Sequence, residues 1–156
     1  MAMGSSLSRI VSNIFIENFE KSSLQSAQHK PSLWLRYIDD TFVVWPHGPE
    51  WLQDFLSHLN SLRPSIQFTM EIESESAIAF LDVVALRREA TVATKVYRKP
   101  THTYRYLNFN SNHPPLAKMG LIQSLHNRAS TACQELQDLV KEIGSPRSDL
   151  QLNGYP

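Results

Sequence analysis

The sequence predicts an α+β fold: an antiparallel sheet with two packing helices, followed by a C-terminal helical segment. Three observations carry this. Two short β-prone runs, 33–38 and 41–45, flank the adjacent carboxylates Asp39 and Asp40. Apolar residues fall at helical spacing on either side of that pair, at Ile10, Val11, Ile14, Phe15 and Phe19, and again from Trp51 to Leu62. From Pro115 to Ile143 the helical spacing returns.

The opening turn, Gly4 to Ser8, offers Ser5, Ser6 and Ser8 as N-caps for the first helix. Its apolar stripe predicts a buried face. The helix is expected to fray from Ser22 and to stop at Pro31. Runs 33–38 and 41–45 then form a hairpin connected at Asp39-Asp40. Pro46-His47-Gly48-Pro49 breaks the chain. A second amphipathic helix follows, closed by Pro64. Ile66, Phe68, Met70 and Ile72 alternate with polar residues, as in a half-buried strand. Residues 77–86 form a longer apolar run containing Asp82, and 91–97 another strand. Beyond the turn-rich residues 108–115, the helical spacing fits one interrupted helix or two, ending at Gly144-Ser145-Pro146. The tail from Ser145 lacks periodicity and is expected to be disordered.

Composition limits the function. The chain has 156 residues, 42% of them hydrophobic, and 15 Lys and Arg against 15 Asp and Glu. That length and apolar content can build a core. With no global basic field, a nucleic-acid contact must come from a local patch. The single cysteine, Cys133, excludes an internal disulfide and a zinc-binding cysteine cluster. It falls in an apolar helix stripe, where free cysteine packs. No apolar run reaches the length of a membrane span, and there is no signal-peptide pattern, so an intracellular protein, nuclear or cytoplasmic, is expected.

Two features bear on chemistry. Asp39 and Asp40 repel each other, and either water or a divalent cation relieves that repulsion. Arg98, Lys99, Tyr104, Arg105 and Tyr106 make the one locally basic and aromatic stretch. It reads as a charged surface loop or as a contact for phosphates and bases. Asp82 sits in a strand-like run; if buried, it needs a partner such as Lys95 or Arg98.

Tyr37-Ile38-Asp39-Asp40 between two apolar strands resembles the Tyr-X-Asp-Asp box of reverse transcriptases, their motif C. Met3 to Phe15 looks like motif B. Phe80 to Val83 and Lys95 to Thr103 look like the segments after motif C in Penelope-like retroelement polymerases. Arg9 departs from the proline usual after the motif B serine.

The resemblance implies a partial polymerase palm over 1–107, a thumb-like helical segment over 108–144 and a tail over 145–156. Asp39 and Asp40 would be the catalytic and metal-binding carboxylates, with Mg²⁺ or Mn²⁺. Tyr37, Gly4, Ser5 and Ser6 would lie beside nucleotide and primer. Arg98, Lys99, Tyr104 and Arg105 would contact nucleic acid. An RNA or DNA template-primer and deoxynucleoside triphosphates would be the partners of the full-length parent. Motif A and the fingers would precede residue 1, so the chain is expected to be inactive alone.

Two other functions remain open. One is a remnant that only binds nucleic acid or protein, through the basic-aromatic stretch and the C-terminal helices. The other is a chain without independent function.

Overall fold

The first helix continues through its serine-rich end, where the sequence suggests fraying. In the computed structural model, which describes residues 6–89 and 91–156 and only the backbone of Ser6, α1 spans Ser6–Ser26. Ser22, Ser23 and Ser26 donate to the carbonyls of Asn18, Phe19 and Ser22 at 2.8, 2.6 and 3.0 Å. These hydroxyls are satisfied inside the helix, so the polar run does not break it. Burial covers only the C-terminal half of α1. Phe19, Ser23 and, just past the end, Ala27 are buried, whereas Ile10, Val11, Ile14 and Phe15 are exposed.

The chain divides into two units, Met1–Glu71 and Ile72–Pro156. In the first, β1 (Leu33–Tyr37) pairs antiparallel with β2 (Asp40–Val44). Tyr37 faces Asp40, so Ile38-Asp39 is the two-residue connection, one position before the expected Asp39-Asp40. Strand alternation sends Trp34 and Arg36 to one side. Trp34 Nε1 and Arg36 Nε both donate to Glu20 Oε1, at 3.0 and 2.8 Å, and tie the hairpin to α1. Pro49–Trp51 makes a single 3-10 turn leading into α2 (Leu52–Leu62). The core is Ala27, Phe55 and Leu59, ringed by Leu24, Trp34, Trp45 and Phe68.

The strand expected at Ile66–Ile72 does not form. Instead the Asn60 side chain takes up the backbone of Phe68: the Phe68 N–H donates to Asn60 Oδ1 at 2.7 Å, and Asn60 Nδ2 donates to Phe68 O at 3.1 Å. Side-chain pairing replaces a strand ladder.

In the second unit, β3 (Ala77–Phe80), β4 (Val83–Arg87) and β5 (Val92–Val96) form an antiparallel meander. The predicted apolar run 77–86 is thus a hairpin, turned by Leu81-Asp82 with Leu81 at φ 54°. The two sheets are separate rather than one palm-like sheet. The α+β class stands; a palm does not follow from these strands.

Two helices complete the unit. Pro115, at the first helical position, opens α3 (Pro115–Ala132), and α4 spans Leu136–Leu152. The expected stop at Gly144-Ser145-Pro146 is overridden. Pro146 lies buried inside α4, which runs through the tail expected to be disordered. The real end is a Schellman motif: Tyr155 N–H donates to Leu150 O and Gly154 N–H to Gln151 O, both at 3.0 Å. Gly154 adopts φ 83°, the left-handed conformation this motif demands. Tyr155 is buried against Phe109, with ring centroids 5.2 Å apart.

Candidate nucleic-acid interface

Asp39 and Asp40 lie exposed at the tip of the first hairpin, with Tyr37 exposed beside Asp40 across the ladder. Gly4 and Ser5 lie outside the described residues, and Ser6 opens α1. Among the described residues no third His, Cys, Asp or Glu joins this pair into a metal-binding group. The expectation of Mg²⁺ or Mn²⁺ there rests on the resemblance alone.

The second unit brings its cations together. It holds ten Lys and Arg against eight Asp and Glu, whereas the first holds five against seven. Between Glu89 and Glu135 the sequence has six cations and no acid: Lys95, Arg98, Lys99, Arg105, Lys118 and Arg128. A neutral chain therefore carries a basic segment.

Four of the residues nominated from sequence sit in this unit. Arg98 follows β5 and is half-buried; its Nη2 donates to Glu142 on α4 at 2.8 Å. Lys99, Tyr104 and Arg105 are exposed. Asn153, just past α4, holds this segment in place. Its Oδ1 accepts from the Tyr106 N–H at 3.0 Å, and its Nδ2 donates to Tyr104 O at 2.9 Å. Burial pushes the Tyr106 hydroxyl and the Glu142 carboxyl above their ordinary values, with Arg98 opposing both shifts. Asp82 is exposed in its turn rather than buried in a strand.

Sequence reasoning followed α4 only as far as Gly144 and missed its second half and its polar face. Gln137, Lys141, Gly144, Ser148 and Gln151 recur every three or four residues, and all are exposed. They form one polar face without an acid. Apart from its chain neighbours and its own helix backbone, no atom lies within 4 Å of the position a Cβ would take on Gly144, so this face is open at its middle. The signal was the polar spacing itself, hidden by reading Gly144 as a helix end.

A second surface is apolar. Met119 and Ile122 on α3, with Ile143 and Leu150 on α4, line a groove of about 410 Å³. Cys133 is buried between the two helices in sequence and packs as expected.

Helices α3 and α4 are joined by Cys133-Gln134-Glu135 alone. Two helices joined by so short a turn make a helix-turn-helix arrangement. Residues 105–156 match the family described as an animal helix-turn-helix domain. No curated protein and no solved structure matches the chain.

The match corrects the reading of the chain as a reverse-transcriptase fragment. The residues assigned to the end of a palm, a thumb and a tail are instead similar to a helix-turn-helix domain. The resemblance rested on a four-residue box and short flanking segments. A β-hairpin tip with two carboxylates satisfies such a box whatever surrounds it, and here it belongs to a separate two-stranded sheet. The retroelement and polymerase assignments fall with it. Among the described residues no helix is long and apolar enough to cross a membrane.

Proposed function

We propose that the second unit is a DNA-binding module that presents α4 to the major groove. The observation that supports this best is the exposed, acid-free face Gln137, Lys141, Gly144, Ser148, Gln151 on the second helix of the pair. Glutamine amides suit adenine edges and a lysine suits guanine, and a helix fits the width of the major groove. Gly144 lets the groove wall approach the backbone. The basic segment of 95–128 supplies phosphate neutralisation, which dominates affinity and makes it salt-dependent. The first helix of such a pair crosses the DNA backbone, and α3 carries Lys118 and Arg128 and no acid.

The apolar groove favours a second reading, a protein-binding module, because exposed apolar surface marks interaction sites.

Titrating the full chain with a labelled duplex library at two salt concentrations separates the two. DNA binding predicts affinity that falls steeply with salt. Lys141→Ala and Gln137→Ala are expected to cost roughly 1–3 kcal/mol each on preferred sequences. No duplex binding at low salt would overturn the DNA reading and leave the groove as the site.

A further inference from the structure

Beside the helix pair lies a smaller cavity of about 320 Å³, lined by Asp82, Tyr97, Arg98, Lys99, His102 and Arg128, with Thr101 and Thr103 at its edge. The β3–β4 turn, the segment after β5 and the last turns of α3 each contribute a wall. Three permanent cations face one carboxylate. Arg128 is held by its Nη2, which donates to Tyr97 O at 2.7 Å. Its Nε is buried and has no hydrogen-bond partner. Arg98 is held by Glu142 from behind. Both guanidinium groups are therefore oriented before any ligand arrives, and each has N–H groups beyond those already bonded.

We propose that this cavity binds the terminal phosphate of a nucleic-acid strand. Phosphate is the anion whose several oxygens match two guanidinium forks and a lysine. The concave shape distinguishes an end from a continuous backbone. A duplex backbone runs past a surface, whereas a phosphomonoester at a strand end projects into an open concavity and brings up to about twice the charge of a diester. Tyr104 stands next to the cavity, 45% exposed, with its ring 4.7 Å from that of His102. Its free face is placed to stack the terminal base. The hydroxyls of Thr101 and Thr103 add donors at the rim. Asp82 opposes the phosphate charge and is an acceptor for a sugar hydroxyl.

The inference rests on the nucleic-acid reading for its ligand and adds a second contact to the α4 face. The test uses the full chain and one short single-stranded sequence in three forms: 5′-phosphorylated, 3′-phosphorylated and without a terminal phosphate. Each is titrated at constant ionic strength, with inorganic phosphate as a separate competitor. One phosphorylated end is expected to bind about tenfold tighter than the unphosphorylated strand, the effect of a charge-assisted contact.

Lys99→Gln, on an exposed side chain, is expected to cut that preference while the melting temperature stays at the wild-type value. Arg128→Gln is expected to abolish it, and Asp82→Asn to increase it. Equal affinity for all three forms would overturn the terminal-phosphate site while duplex binding by α4 stood untouched. Inorganic phosphate competing as well as the phosphorylated strand would overturn it too, in favour of a free-phosphate site. Absence of binding to any strand or duplex would overturn both this inference and the DNA reading beneath it.

Discussion

Arg98 and Glu142 meet at 2.8 Å with both side chains largely withdrawn from water, and they pin the segment after β5 to α4. The carboxylate gains an ion pair but loses hydration. Loss of hydration is the larger effect, because the Glu142 carboxyl stands above its ordinary value of 4.5 despite the cation beside it. The folded state therefore favours protonated Glu142. Its contribution to stability is present below the ordinary carboxylate value and is lost as the pH rises through the higher folded-state value. Glu142→Gln is expected to flatten this part of the pH dependence. Urea unfolding of wild type and variant at intervals from pH 4 to 7 measures it; parallel curves would refute the assignment.

Asn153 offers a sharper test of how the C-terminal unit is closed. Its side chain serves the Tyr106 N–H, the Tyr104 carbonyl and the Asp149 carbonyl, the last at 2.7 Å. Asn153→Ala leaves a half-buried backbone N–H without its acceptor. The loss is expected to be roughly 1–3 kcal/mol, the usual cost of stranding a buried donor. Thermal unfolding followed by tyrosine fluorescence reports it. An unchanged midpoint would mean that water replaces the amide and that the Schellman turn alone closes the unit.

These residues show why the sequence was only partly readable. The hairpin, α2 and the start of α3 follow from local rules: the β-prone composition of 33–38 and 41–45, spacing from Trp51 to Leu62, and proline at a helix start. Each is decided by neighbours in the chain, and each formed within a residue or two of its expected place. Ile66–Ile72 and the tail depart from expectation through asparagine side chains. Asn60 takes up the Phe68 backbone in place of a strand partner, and Asn153, itself in the tail, bonds the Tyr106 N–H and the Tyr104 carbonyl and ties the tail to that segment. Such pairings leave no periodicity. The candidate site divides similarly. Arg98, Lys99, Tyr104 and Arg105 are visible as a basic-aromatic run. Arg128 and Asp82 reach the cavity only through the fold, and the α4 face was hidden behind Gly144-Ser145-Pro146.

In the first unit, Leu59 and Ile14 separate an occupied apolar face from an unoccupied one. Leu59 is 3% exposed within the core of Ala27 and Phe55, whereas Ile14 on α1 is 54% exposed. Leu59→Ala is expected to cost roughly 2–5 kcal/mol, as burial is lost and a cavity opens. Ile14→Ala is expected to change stability by no more than about 0.5 kcal/mol. Chemical denaturation of both variants decides it. A large effect at Ile14 would show that the N-terminal half of α1 is covered in solution.

The first hairpin carries its own strain. Ile38 occupies the first loop position with φ 53°, a region that β-branched residues avoid because Cβ meets the following carbonyl. Two-residue hairpins with a positive φ at this position usually place glycine there. The side chain brings little in return, being 65% exposed. What the position does supply is backbone: the Ile38 carbonyl accepts from Arg36 Nη1 at 3.3 Å, and any residue keeps that carbonyl. Ile38→Gly relieves the clash at the expense of extra freedom in the unfolded chain. Because the left-handed conformation costs a non-glycine residue roughly 1–2 kcal/mol, a net stabilisation of somewhat under that is expected. Urea unfolding of the full chain, followed through the tryptophans of the first unit, measures the shift in midpoint. A decrease would show that the exposed Ile38 side chain packs against something in solution, which would make the hairpin tip a contact surface.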